Sequence, residues 1–72
     1  MTYNEKIQLL TGATAIVIDR FTGEKEPYIV SDSAEAWTLL DVELTTENGK
    51  LVAEFPGVRM VFDDTRLAAI AA

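Results

Sequence analysis

The chain has 72 residues, with 12 Asp or Glu against 6 Lys or Arg, a formal charge of −6, and neither His nor Cys. That length admits one domain, read here as residues 1–72, and the acidic balance argues against a basic nucleic-acid-binding surface. Without His or Cys there is no triad or dyad that needs them, no thiolate chemistry and no ordinary zinc site. No catalytic residue, cofactor or metal is therefore expected, nor direct nucleic-acid binding.

A hydrophobic fraction of 49% is too high for a disordered acidic segment, so the chain should fold. A domain this small buries only about 60% of its extended-chain surface and is marginal on that account. With no disulfide available, a well-formed sheet or a partner chain must supply the remaining stability, which makes homo-oligomerisation a live expectation. The first residues show no basic segment followed by an apolar one, and no apolar run approaches the roughly 18 residues of a membrane span. A soluble cytoplasmic chain without membrane contact is expected.

Thr2 and Glu5 form a Thr-x-x-Glu capping box, followed by Tyr3, Ile7 and Leu10 at helical spacing, and Gly12 stands where a C-terminal cap belongs. This predicts a helix over 3–11. Residues 13–21 are rich in β-branched types with apolar side chains on both faces, as in a strand covered on both sides. A turn over Thr22–Lys25 and a second strand from Pro27 to Ser31 follow, with Ile18 opposite Ile29 and Val17 opposite Val30. Pro27 cannot donate to a ladder and suggests an edge or a strand start. Asp32 and Glu35 resemble a second capping box, predicting helical turns over 33–38 with Trp37 and Leu40 on the buried side.

The stretch 39–63 is the most legible. Leu40, Val42 and Leu44 alternate with Asp41, Glu43 and Thr45, as in a half-buried strand. Asn48-Gly49 is a strong two-residue hairpin signal, pairing Glu47 with Lys50, Leu44 with Ala53 and Val42 with Phe55. Pro56-Gly57 makes the next reversal, setting Glu54 against Arg59, Lys50 against Asp63 and Ala53 against Met60. Asp63 or Asp64 can cap a last helix over Thr65–Ala72. The order is α-ββ-α-βββ-α: an α+β domain with a small antiparallel five-stranded sheet or partly open barrel, built from a hairpin and a three-stranded meander, with short N- and C-terminal helices.

Three groups of residues bear on function. Glu43 lies opposite Glu54 in the two-residue register, and a four-residue loop would instead bring Asp41 there, so like charges meet across strands unless Arg59 relieves them. Such a pair could serve acid/base or cation chemistry, but no nucleophile, oxyanion hole or phosphate loop accompanies it. Val52 and Val61 fall side by side on this charged outward face. An apolar pair there implies cover, from the C-terminal helix or from a partner protein meeting an apolar centre with a charged rim. The interface candidates are therefore Val52, Val61, Asp41, Glu43, Glu54 and Arg59, in a non-enzymatic protein-interaction module whose partner can be a second copy of the chain.

In size and charge alone, the chain also resembles small acidic phage-encoded inhibitors, including some anti-CRISPR proteins. That resemblance implies an acidic nucleic-acid mimic occupying a basic channel of another protein. The ending Leu67-Ala-Ala-Ile-Ala-Ala72 is similar to the Leu-Ala-Ala ending of the bacterial tmRNA degradation tag, with a packed or frayed Ala-rich helix as the structural alternative.

Overall fold

The computed structural model describes residues 1–71. Its elements are α1 (Tyr3–Leu10), β1 (Thr14–Asp19), β2 (Lys25–Ile29), α2 (Ser33–Leu40), β3 (Glu43–Glu47), β4 (Lys50–Phe55), β5 (Val58–Phe62) and a 3-10 helix (Thr65–Ala71). The expected element order and α+β class are what the chain adopts. Both halves of the first capping box form: the Glu5 N–H donates to Thr2 Oγ1 at 3.2 Å and the Thr2 N–H to Glu5 Oε1 at 3.1 Å. Past the end of α1, Gly12 takes φ +81 and its N–H donates to the Val30 carbonyl at 2.8 Å, tying the helix end to the end of β2.

The five strands lie in the order β2-β1-β5-β4-β3, every neighbouring pair antiparallel, and the sheet is open rather than closed into a barrel. Alternation along each strand sorts side chains between two faces. One face carries Ala15, Leu51, Ala53, Met60 and Phe62, and onto it pack Ile7 and Leu10 of α1, Ala36 and Leu39 of α2, and Leu67 and Ile70 of the 3-10 helix. Phe62, Leu10 and Leu51 are completely buried there. At about 25 cal/mol per Å² of apolar surface removed from water, this single layer of contacts drives folding. All three helical elements therefore sit on one side.

The meander register is the expected one. Asn48 (φ 54) and Gly49 (φ 77) form the mirror-image turn that suits strand twist, and Glu47 pairs with Lys50, Leu44 with Ala53, Ala53 with Met60 and Glu54 with Arg59. Gly57 takes φ +76 as the second central residue after Pro56, the conformation of a type II turn.

Elsewhere the structure corrects the sequence reading. In the first hairpin Ile18 faces Lys25 and Ile29 faces Thr14, a register four residues away from the expected one. The loop organiser is Asp19: its carboxylate accepts the N–H groups of Phe21 (2.8 Å) and Thr22 (3.0 Å), and its carbonyl accepts the Gly23 N–H at 2.8 Å. The turn thus centres two residues earlier. Because the slip is even, each side chain keeps its face and only its cross-strand neighbour changes.

Trp37, expected inside, is 55% exposed, while its neighbours Ala36 and Leu39 are buried and Leu40 is half-buried. The α2 helix runs on through Leu40, so β3 begins only at Glu43. The last element is a 3-10 helix, and Asp64 accepts the Arg66 N–H at 2.9 Å. Ala72, the final residue of the degradation-tag-like ending, lies outside the described residues.

Strand β2 is one edge of the sheet. The Val30 N–H donates to Ala13 and the Asp19 N–H to Glu24, so by alternation the backbone groups of Lys25, Pro27 and Ile29 point away from β1. Pro27 occupies the middle outward position, where a missing N–H leaves the ladder to β1 intact.

Candidate functional site

The face of the sheet opposite the helices is where the interface candidates gather. Its side chains fall in three rows that cross the strands. The central row runs Thr45, Val52, Val61, Ile16, Pro27 from β3 to β2. One flanking row runs Glu43, Glu54, Arg59, Ile18, Lys25 in the same direction. On the other side stand Glu47 and Lys50, then Asp63 and Thr14, whose ladder continues through the Asp63 N–H bond to the Thr14 carbonyl at 3.2 Å.

Glu43 and Glu54 are directly opposite each other, as the two-residue Asn48-Gly49 turn requires. Asp41 does not reach Glu54: it caps the C-terminus of α2 instead. The like-charge meeting is relieved from β5 and from the β1–β2 loop. Arg59 Nε lies 3.2 Å from Glu54 Oε1, and Arg20 Nη1 donates to Glu54 Oε2 at 3.1 Å. The Arg59 contact is electrostatic only, because Nε is buried without a hydrogen bond of good geometry. Arg59 also pairs with Glu47, two strands away and in the opposite flanking row. Glu54 is thus held by two guanidinium groups.

That diagonal from Arg59 on β5 to Glu47 on β3 crosses β4 at Val52. This explains why Val52 is only 1% exposed although it lies outside the helix-covered core. The expected cover by the C-terminal helix is not what the chain uses. The 3-10 helix packs through Leu67 and Ile70 on the other face, and an arginine side chain shields Val52. Val61 has no such shield and is half-buried.

The sequence reading expected the strand at 13–21 to be covered on both sides; instead its outer face, Ile16 and Ile18, is left without helix cover, and the apolar surface extends to β1 and β2. A shallow groove of about 330 Å³ runs between Ile16, Ile18, Pro27 and Val61, with Lys25 and Asp63 among its charged walls. Its signal was present in residues 14–19, where apolar side chains alternate onto both faces: Ala15 and Val17 go to the core side, Ile16 and Ile18 to the outside. The acids of this face are too spread to form a ligand set: among the described residues no group of three or more Asp or Glu is placed to hold a metal ion. Nor is any helix there long and apolar enough to cross a membrane.

What the face offers is shape and charge: a narrow apolar row whose flanking rows carry their acids and bases mainly on β3, β4 and β5. Compared with known protein families, with curated proteins and with solved structures, the chain matches none.

Proposed function

We propose that the chain is a non-enzymatic protein-interaction module that works through the helix-free face of its sheet. The observation that carries this reading is the apolar row Val61, Ile16, Pro27, which no helix covers, with Arg59 and Asp63 on either side of Val61 and Lys25 beside Pro27. An apolar centre inside a polar rim is the anatomy of a protein contact surface. The half-buried state of Val61 and Ile16 leaves apolar area for a partner to remove from water.

The test compares baits. Wild type, Val61→Glu and Trp37→Ala are used to capture proteins, and each captured protein is then titrated in pure form against all three. Val61→Glu should lose a stoichiometric partner that Trp37→Ala retains, with unchanged circular dichroism. Partners indifferent to Val61→Glu but lost with Trp37→Ala would move the site to the helix side and overturn the reading.

The net charge of −6 favours a second reading, an acidic inhibitor that mimics nucleic acid. Against it, Glu47 and Glu54 are engaged by arginines, which among the described residues leaves Glu43 as the acid of the hairpin's outer face without an ion pair. Salt-sensitive displacement of DNA or RNA from a basic binding protein, abolished by Glu43→Lys, would favour mimicry over the apolar contact.

A further inference from the structure

We propose that Asn48-Gly49 is a site of spontaneous covalent modification, where the turn loses ammonia through a cyclic imide and reopens as isoaspartate, breaking the register of the β3–β4 hairpin. The modification needs no partner and is independent of the interaction-module reading.

The fold demands these two residues and thereby installs the reaction. Both central positions of the turn have positive φ, 54 at Asn48 and 77 at Gly49. Asn and Gly are the residues that enter this region most readily. The same pair sets a side-chain carboxamide one residue before an unhindered backbone nitrogen. Both residues are exposed, and a Cβ at Gly49 would meet nothing within 4 Å. The Gly49 N–H enters no backbone hydrogen bond among the described residues, so no ladder contact has to break to release it. The turn also closes the edge hairpin, where β3 is held by β4 alone. Local opening is easiest at such a tip.

The step balances with solvent water as its co-reactant. The Gly49 nitrogen attacks Cγ of Asn48: a C–N bond forms, the Cγ–Nδ2 bond breaks, and ammonia leaves with the proton that the Gly49 nitrogen gives up. Nothing is oxidised or reduced. Water then opens the ring at either carbonyl. Attack at Cγ restores the normal backbone with an aspartate at position 48. Attack at the main-chain carbonyl leaves the backbone running through Cγ, one carbon longer, with the carboxylate on Cα. The net exchange is one ammonia for one water.

The two products act differently on the sheet. Asp-Gly fits the same mirror-image turn, so the aspartyl product keeps Glu47 opposite Lys50. The isoaspartyl product adds a backbone atom to a two-residue turn, and the register of the hairpin depends on that turn. Glu47 is also the residue that holds Arg59 over Val52. Asn48, Lys50 and Arg59 line one recess, so a carboxylate formed at position 48 competes with Glu47 for Arg59.

Asn4, the other asparagine of the chain, is the internal control. It is followed by Glu5, whose N–H is held by Thr2 Oγ1 at 3.2 Å in the first turn of α1.

The test holds the full-length chain in mildly alkaline buffer, below its unfolding temperature, and follows it over weeks by peptide mapping with mass detection. Ammonia loss should be at least about tenfold faster at Asn48 than at Asn4. Hydroxylamine, which attacks the imide, should cut the chain between residues 48 and 49. Asn48→Gly keeps the turn and should be neither altered nor cut there. The isoaspartyl form, isolated by ion exchange, should exchange the amide hydrogens of β3 at least about tenfold faster than wild type, whereas Asn48→Asp should stay within about threefold.

An Asn48 as durable as Asn4, or a chain that hydroxylamine leaves intact, would overturn the site. An isoaspartyl form with wild-type exchange in β3, or Asn48→Asp exchanging as fast as that form, would overturn the claim that the lengthened backbone breaks the register.

Discussion

Arg59 reaches across strand β4 to pair with Glu47, and in doing so lies over Val52 on the helix-free face. The two jobs of this side chain, charge pairing and covering a valine, separate experimentally. Exposed ion pairs contribute about 0–1 kcal/mol, and Glu47 is half exposed, so Glu47→Gln should cost less than about 1 kcal/mol in urea denaturation. Arg59→Ala removes both pairings and uncovers Val52, for about 1–2 kcal/mol. Arg59→Met keeps most of the cover and should recover at least half of that loss. Equal destabilisation by Ala and Met would show that cover of Val52 contributes nothing.

Trp37 and Leu39 should rank in the reverse order of their size. Leu39 is 3% exposed within the core, so Leu39→Ala should cost about 2–5 kcal/mol through lost burial and the cavity left behind. Trp37 is half exposed and meets Tyr3 edge-to-face with ring centres 4.9 Å apart, a pairing worth about 0.5–1.5 kcal/mol. Trp37→Ala should therefore cost less than about 2 kcal/mol. As the sole tryptophan, Trp37 should also show the fluorescence of a solvated indole, readily quenched by acrylamide. A blue-shifted, quencher-resistant emission would contradict its placement.

Gly57 carries two separable demands. Its φ of +76 favours glycine, and a Cβ there would meet Phe21 Cε2 at 3.0 Å. The ring is 88% exposed and free to swing away, so the backbone conformation should dominate the cost. Gly57→Ala is expected to destabilise by about 1–2 kcal/mol, with the same loss in a Phe21→Ala background. A penalty that vanishes when Phe21 is removed would instead make the ring the obstacle.

Acid should loosen the first hairpin. The backbone N–H groups of Thr22 and Phe21 hold the Asp19 carboxyl below its ordinary value. Its folded value is thus lower than its unfolded value, about 3.9. Stability from this carboxylate is complete above that pH and is lost as pH falls through the folded value. Two other carboxyls act in the same direction: Glu5 is lowered by the Thr2 N–H, and Asp64 by the Arg66 side chain. Asp19→Asn should be less stable than wild type at neutral pH, with the gap closing as pH falls through the folded value of Asp19. A gap that stays constant with pH would mean the carboxylate charge plays no part.

The meander was legible because its reversals are two-residue turns with residues suited to them. Asn48-Gly49 and Pro56-Gly57 both favour two-residue turns over the longer loop that would bring Asp41 to Glu54, and Glu47/Lys50 and Glu54/Arg59 agree with that register. The first hairpin was not, because Gly23 drew attention as the turn centre. Glycine there only closes the loop at φ +78, and the residue that organises it is an aspartate two positions before Phe21. Trp37 misled through its size: it is adjacent to Ala36 on a helix whose buried side is set by Ala36 and Leu39. Of the interface candidates, Val52, Val61, Glu43, Glu54 and Arg59 share one face, and Asp41 falls at a helix end. The long reach of Arg59 to Glu47 follows from side-chain length across three strands, which no single pairing in the sequence encodes.

Pro27 has a consequence for how the sheet can grow. A filament made by adding chains edge to edge would need β3 of each molecule to zip onto β2 of the next, and Pro27 withholds the central donor of that seam. Pairing of β3 with another β3 remains open, but it consumes both unblocked edges at once and leaves a proline-bearing strand at either end. Edge-to-edge growth through β2 is thus weakened at its centre, and one residue with no hydrogen to donate works against fibre formation in this small sheet protein.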